Sequence, residues 1–192
     1  MSQNQFVIPK EMHAIEILEF GGPENLKSCM RQVPEILTDQ VLIKVMFAGV
    51  NRPDLLQRQG NYKVPKTASD IPGLEVSGIV VDLKDANSKF KIGDKVCAHK
   101  GWQTFIKVKD TDPTLFKVPS SNLNLSTYLG TVGMPGRTAY FGLNRVGKPK
   151  SGETVVVSAA SGAVGTVVGQ LAKSYGCYVV GIAGGPEKCS YV

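Results

Sequence analysis

A short glycine-containing turn between an apolar strand and an amphipathic helix constrains this chain more than any other feature. The strand is Thr154–Ser158, whose run of valines predicts burial on both faces, and the turn Ala160–Gly165 follows it. Gly176 predicts the end of the helix and Tyr178–Ile182 a second strand. Apolar residues repeat between them with a helical period, at Val164, Val167, Val168, Leu171 and Tyr175. The pattern predicts a strand–turn–helix–strand unit with a parallel sheet.

The turn has the small residues that a bound pyrophosphate requires. Gly162 and Gly165 keep the second and third glycines of the pattern G-x-G-x-x-G, and Ala160 replaces the first. Such a turn directs backbone N–H groups and a helix N-terminus at phosphates, and its place after a strand is typical of dinucleotide binding. The alternative interpretation is a tight turn that binds nothing. We predict cofactor contacts at four positions: Gly162, Ala163, Val164 and Gly165.

The residues after the second strand favour NADP over NAD. Proteins that bind NAD usually place an acidic residue there, bonded to the ribose 2′-hydroxyl. This chain has Ala183-Gly184-Gly185 instead, and Lys188 follows shortly. A lysine can pair with a 2′-phosphate, so we add Lys188 to the predicted cofactor contacts. Glu187 beside it opposes this inference, and an exposed lysine at a helix start is the alternative.

The first 125 residues show a different texture, with short strands between glycine- and proline-containing turns. The strand-like segments are 13–17, 41–47, 76–81, 95–98 and 104–108. They predict an all-β barrel or sandwich. Residues 126–144 predict one or two helices, broken at Pro135-Gly136. We therefore divide the chain into a domain of residues 1–125 and a second of residues 126–192.

Composition and charge exclude several function classes. Hydrophobic residues make up 42% of the 192 residues and charged residues 20%, which is typical of a globular protein. We expect no membrane partner, since no apolar run is long enough to span a bilayer. Residues 1–5 lack the pattern of a secretory signal, so we expect a cytoplasmic protein.

The net charge of +6 raises the question of nucleic-acid binding. Lys84 to Lys117 contains eight lysines against four aspartates, but strand-like apolar residues separate them. The arginine and aromatic pattern of a nucleic-acid-binding module is missing. We therefore expect no nucleic-acid partner.

Several segments resemble the zinc-independent medium-chain dehydrogenase/reductases. They are Val156–Gly165, Gly169–Lys173 and Gly130–Leu143. From about Gly101 onward the chain is similar to prostaglandin reductase, also called leukotriene B4 12-hydroxydehydrogenase or alkenal/one oxidoreductase. Its first hundred residues look more like quinone oxidoreductase, notably Phe20–Leu26 and Val50–Tyr62.

The resemblance implies an α+β two-domain fold, a GroES-like β-barrel followed by an incomplete Rossmann unit, with the active site in the cleft between them. It implies hydride transfer from NADPH to the activated double bond of enones or alkenals, or to quinones. By position, Asn51 and Tyr62 would line the substrate cleft and Thr138 would lie near the nicotinamide. Asn51 as a turn former and Tyr62 as a plain loop aromatic are the alternatives, and Asp54 is expected to cap the local helix.

The resemblance also bears on metal binding. Zinc-dependent members carry a Gly-His-Glu motif, whereas this chain has Gly73-Leu74-Glu75 and lacks the four-cysteine structural zinc lobe. His13 and His99 are its two histidines, and neither lies in a ligand motif. We expect no metal site.

The extent of the second domain raises an alternative function. One strand–helix–strand unit leaves sheet edges open, so we expect the chain to be a fragment or a truncated product of a longer protein. The alternative to an enzyme is then a truncated non-catalytic form that acts as a binding or interaction protein. The family further implies a homodimer.

Overall fold

The computed structural model describes residues 6–62, 71–120 and 122–192. It divides the chain into two compact units, Met1–Ser126 and Thr127–Val192. The first unit is built mainly of antiparallel strands, and the second is a small α/β unit. This is the α+β two-domain class that the sequence predicts, with a partial Rossmann unit.

The described residues of the first unit form seven strands and one short α-helix. They are β1 Glu11–Ile17, β2 Leu26–Gln32, β3 Gln40–Ala48, α1 Arg52–Arg58, β4 Val76–Leu83, β5 Lys95–Ala98, β6 Phe105–Lys109 and β7 Phe116–Lys117. Five of the strands form an antiparallel sheet in the order β6-β3-β4-β5-β7, and β1 pairs with β2 in a separate hairpin. The sequence predicts all of these strands except β2 and β7.

The core of the first unit lies on both faces of β3 and β4. Val80 and Val81 are successive residues of β4 with no exposed surface, and they belong to two different apolar clusters. On β3, Ile43 belongs to the cluster of Val80, and Leu42 to the cluster of Val81. Because successive strand residues point to opposite faces, these two strands are covered on both sides.

The second unit carries two parallel strands and three α-helices. Their bounds are α2 Met134–Phe141, β8 Thr154–Ser158, α3 Gly165–Ser174, β9 Tyr178–Ile182 and α4 Gly185–Tyr191. A π-helical turn, Gly142–Gly147, extends α2. The parallel register runs from Thr154 opposite Tyr178 to Ser158 opposite Ile182. The predicted strand–turn–helix–strand unit is confirmed, with both strands at their predicted bounds.

The predicted break at Pro135-Gly136 is wrong. Pro135 lies in the first turn of α2, where the missing N–H costs no intrahelical hydrogen bond. The Gly136 N–H donates to the Gly130 carbonyl at 2.8 Å, and a Cβ on Gly136 would overlap the Thr131 carbonyl oxygen. The dipeptide therefore starts a helix, because its proline meets the geometry of a first turn and its glycine permits close packing.

Burial in the second unit also differs from the prediction. Val155 and Val179 pack against the cluster that includes Ala172 of α3, as expected for the covered face. Val156 is 61% exposed and Val180 is 50% exposed, so the other face of the β8–β9 pair is open. The prediction that β8 is buried on both faces is therefore wrong for the described residues, since the helix packs on one face alone.

Replacing a buried residue of the central sheet tests this packing. Ile43 is 1% exposed, whereas Ile92 is 40% exposed in a turn of the same unit. We expect Ile43→Ala to lower the free energy of unfolding by about 2–5 kcal/mol, and Ile92→Ala to change it by less than ~1 kcal/mol. Urea unfolding followed through Trp102 fluorescence measures both. Equal losses would contradict the position of the core.

Candidate functional site

The turn between β8 and α3 is closed by its own backbone. The Gly162 N–H donates to the Ala159 carbonyl at 2.9 Å. The backbone N–H and the hydroxyl of Thr166 both donate to the Gly162 carbonyl, each at 2.9 Å. Ala159 adopts a left-handed conformation with φ of +49°, which an alanine adopts at a steric cost. The structure therefore holds the chain in a defined loop at the point where α3 begins.

Gly165 is required by packing. It is buried, and a Cβ there would overlap the Ala159 carbonyl oxygen and lie 2.8 Å from the Ala160 Cα. At Gly162, a Cβ would lie 3.1 Å from the same oxygen, a tighter approach than most but not an overlap. Helix packing thus explains the glycine at position 165 without a ligand. Gly162 is less constrained by packing, so it is the better indicator of a bound ligand.

The end of β9 lies beside this turn. The Ala160 N–H donates to the Ile182 carbonyl at 3.0 Å, and a Cβ on Gly181 would lie 2.9 Å from the Ala160 side chain. The chain then passes into α4, which carries an exposed Lys188. The turn and the segment leading to Lys188 therefore follow the carboxyl ends of the two parallel strands, the edge where α/β sheets bind ligands.

Thr138 lies on the exposed side of α2. Its hydroxyl donates to the Met134 carbonyl one turn earlier, at 2.7 Å. That bond uses the hydroxyl proton and leaves the oxygen able to accept a hydrogen bond. A contact of Thr138 with a nicotinamide stays a prediction.

Asn51 starts α1 and lies between two carboxylates. Its backbone N–H donates to Asp54 Oδ2 at 2.7 Å, and its side-chain Nδ2 donates to Glu75 Oε1 at 2.9 Å. The expectation that Asp54 caps the helix is confirmed by the first bond. The turn-forming role of Asn51 is also observed, and its predicted role at a substrate is compatible with it.

Asp54 has a perturbed acidity. It is 1% exposed. Burial raises the pKa of the Asp54 carboxyl above its usual range, and the nearby charge of Glu75 raises it further, against the opposing backbone hydrogen bonds from Asn51 and Leu74. The carboxyl is therefore easier to protonate in the folded protein than in the unfolded chain.

Tyr62 follows the C-terminal end of α1. Its N–H donates to the Leu56 carbonyl at 3.2 Å, and its side chain is 40% exposed. The ring of Phe20 lies against Gly60, 3.0 Å from the position of a Cβ on that glycine. An exposed aromatic ring thus lies against the helix end that precedes Tyr62. The sequence reasoning did not single out Phe20 as a site residue, although it belongs to the Phe20–Leu26 segment noted for its resemblance.

Trp102 and Glu75 were also missed as partners of the Asn51 segment. Trp102 Nε1 donates to the Gly49 carbonyl at 2.8 Å, and its ring packs so closely on Gly73 that a Cβ there would lie 2.6 Å from Cδ1. The one signal for Glu75 in the sequence was its place in Gly73-Leu74-Glu75, the position where zinc-dependent members of the resembled family carry Gly-His-Glu.

A family model matches more than half of the chain. Residues 38–142 match the alcohol dehydrogenase GroES-like domain. The match begins before β3 and continues through α2, so it covers Asn51, Glu75 and Thr138.

The chain belongs to the medium-chain dehydrogenase/reductase superfamily.

Named members of this superfamily are similar over most of the chain. The 2-alkenal reductase (NADP(+)-dependent) of Nicotiana tabacum is 43% identical over 159 residues, 82% of this chain and 46% of the relative. Prostaglandin reductase 1 of Mus musculus is 43% identical over 176 residues, 90% of this chain and 51% of the relative. The quinone oxidoreductase of Coxiella burnetii superposes with a TM-score of 0.76 at 30% identity, over 90% of this chain and 56% of that chain. The chain spans about half the length of the curated relatives it matches.

Residues 6–62, 71–120 and 122–192 contain no group of three or more His, Cys, Asp or Glu side chains that could hold a metal ion. Within the same ranges, no helix is both long enough and apolar enough to cross a bilayer.

The turn geometry predicts a large difference between two glycine substitutions. Gly165→Ala should destabilise the second unit by about 1–3 kcal/mol, because α3 must move away from the Ala159 carbonyl. Gly142→Ala is the matched control, since its helical φ of −58° and open surroundings accommodate a methyl group. Thermal unfolding followed by circular dichroism measures both variants. Equal unfolding temperatures would contradict the close approach at Gly165.

The raised pKa of Asp54 predicts a pH-dependent effect on stability. The folded protein holds the proton above the unfolded pKa of about 3.9. The stability that this titration contributes is present below that value and lost as pH rises through the raised folded pKa. Asp54→Asn removes the titration and keeps an acceptor for the Asn51 N–H. The unfolding free energy of Asp54→Asn minus that of the wild type should therefore be larger at about pH 7 than at about pH 4. Urea unfolding at both pH values measures it, and a decrease would contradict the assignment.

Proposed function

We propose that the protein is an NADPH-dependent reductase that transfers a hydride to the activated double bond of enones or alkenals, or to quinones. The observation that carries this proposal is the β8–turn–α3 unit, with its glycines at the start of the helix. The names of the alkenal and prostaglandin reductases, which share 43% identity with the chain, support the reaction class. NADPH, when bound, supplies the hydride.

The residues of the turn fit a dinucleotide. The first N–H groups of an α-helix have no partner within the helix and carry partial positive charge. We propose that Gly162, Ala163, Val164 and Gly165 direct such groups at the pyrophosphate. Gly162 lets the phosphates approach the backbone closely, because no side chain stands there.

Lys188 supports NADPH over NADH. Between the end of β9 and α4 the chain has Ala183 and Gly184, so no acidic residue stands where NAD-binding proteins place one. The tobacco relative is named as NADP(+)-dependent. We propose that Lys188 pairs with the 2′-phosphate, and that Thr138 contacts the nicotinamide.

Asn51 and Tyr62 are the proposed substrate contacts. Negative charge builds on the carbonyl oxygen when a hydride adds to the β-carbon of an enone, and hydrogen-bond donors there stabilise it. The amide of Asn51 and the hydroxyl of Tyr62 are such donors. The names of the alkenal and prostaglandin reductases that resemble the chain support an enone or alkenal, and the quinone oxidoreductase among the similar structures keeps a quinone as the second candidate.

The two units have separate proposed roles. We propose that residues 1–125 form the substrate domain and residues 126–192 the start of the NADP-binding domain. Cytoplasmic localisation and a homodimeric assembly stay predictions.

Fluorescence titration of the 192-residue chain with NADPH and NADH tests the cofactor assignment. We expect saturable binding of NADPH and weaker binding of NADH. Lys188→Ala should weaken NADPH binding about fivefold, because an exposed charge pair contributes up to ~1 kcal/mol, and should leave NADH binding unchanged. Lys150→Ala removes an exposed lysine at the opposite end of β8 and serves as the matched control.

Oxidation of NADPH with an enone and with a quinone then separates the two substrate classes. Faster oxidation with the enone supports the alkenal reductase assignment, and faster oxidation with the quinone overturns it. Binding of NADPH without oxidation of either kind would favour a non-catalytic binding protein. No saturable binding would contradict the proposed function of this chain.

A further inference from the structure

The side-chain amide of Asn51 is held by a buried carboxylate. Glu75 is 5% exposed, and its Oε1 accepts the Asn51 Nδ2 hydrogen bond at 2.9 Å. Glu75 directly precedes β4, and Asn51 follows β3 at the start of α1. The pair therefore forms where two neighbouring strands end.

The backbone fixes Glu75 next to the Asn51 segment. Ala48 and Val76 are the last paired residues of β3 and β4, and beyond them the Gly49 N–H donates to the Glu75 carbonyl at 2.9 Å. The next peptide group is held by Trp102, whose Nε1 donates to the Gly49 carbonyl at 2.8 Å. Strand pairing thus places the backbone of Glu75 beside Gly49, and its side chain reaches Asn51 from there.

Gly49 provides the space for the Glu75 side chain. A Cβ on Gly49 would lie 2.7 Å from both Cγ and Oε1 of Glu75. Any larger residue at this position would displace the carboxylate that binds Asn51. The glycine therefore belongs to the same arrangement as the hydrogen bond.

The bond with Glu75, together with the capping box in which the Asn51 side chain faces the Asp54 backbone N–H, determines which end of the Asn51 amide faces which partner. An ionised carboxylate only accepts hydrogen bonds, whereas an amide has two N–H donors on nitrogen and an acceptor oxygen. Exchange of Nδ2 and Oδ1 would place two oxygens against each other. Glu75 uses one N–H of Nδ2 and leaves the second as a donor in a fixed orientation.

We propose that Glu75 is a positioning residue that orients the Asn51 amide so that its second N–H donates to the carbonyl oxygen of the substrate. This inference rests on the proposed function. In enone reduction a C–H bond forms at the β-carbon as NADPH is oxidised to NADP⁺. The electron pair of the double bond moves toward the carbonyl, whose oxygen becomes negative, and a proton from water then adds to the α-carbon. A donor at that oxygen stabilises the charge, and an acceptor there would oppose it.

Three variants separate orientation from folding. Glu75→Leu removes the acceptor, Glu75→Gln keeps an acceptor oxygen of the same reach, and Gly49→Ala displaces the carboxylate without removing it. Gly142→Ala is the control for an added methyl group. We expect Glu75→Leu and Gly49→Ala to lower kcat by about tenfold to a hundredfold, with unchanged NADPH affinity, and Glu75→Gln to restore most of the rate.

The side-chain amide resonance of Asn51 gives a readout that does not need turnover. In ¹⁵N-labelled protein, assigned through Asn51→Ala, we expect this resonance to move in Glu75→Leu and in Gly49→Ala but not in Gly142→Ala. An aryl enone should shift it in the wild type and fail to do so in Glu75→Leu.

The outcomes distinguish this inference from the proposed function. A resonance that responds to Glu75→Leu and to the enone, in a protein that does not oxidise NADPH, supports the positioning role and overturns the reductase. Turnover that is unaffected by Glu75→Leu, or a resonance that neither the variant nor the enone moves, overturns the positioning role.

Discussion

The antiparallel pairing of β3 with β4 is the interaction on which the first unit depends. β3 also pairs with β6, so it is a central strand with both edges occupied. Val80 and Val81 contribute to clusters on opposite faces, so the paired strands β3 and β4 lie between two apolar cores. Burial of apolar surface on both sides stabilises the strands and removes freedom at their ends. Asn51 follows the end of β3 and Glu75 precedes the start of β4, so their contact is a consequence of the pairing.

Close backbone approach has the same organising role in the second unit. The parallel pairing of β8 and β9 brings Ala160 against Gly181 and beside Ile182. The first residue of α3 then lies so near the Ala159 carbonyl that only glycine fits. Helix packing is therefore one cause of the small residues in this turn, and the approach of the proposed dinucleotide is a second. Gly165 is explained by the first, and Gly162 is the position where the second can be tested.

The sequence predicts local elements well where the pattern is compact. β5, β8 and β9 have their predicted bounds, because short apolar runs lie between turn-forming residues. The helical stripe of α3 is confirmed for Val168, Leu171 and Tyr175, which pack against the apolar cluster of the second unit. Val164 precedes the helix and is 38% exposed, whereas Gly165 and Ala172 are the buried residues. Hydrophobic periodicity undervalues small residues, and these are the ones that a close helix–sheet contact uses.

The sequence by itself determined the strand–turn–helix unit, the short strands of the first unit, the candidate cofactor residues and the superfamily, since each depends on neighbouring residues or on a continuous motif. Tertiary structure alone decided the contacts of the candidate substrate residue. Glu75 lies 24 positions from Asn51, and Trp102 lies 53 positions from Gly49. No local pattern records such a pair, because the two side chains meet only after β3 and β4 have paired and the intervening chain has closed around them.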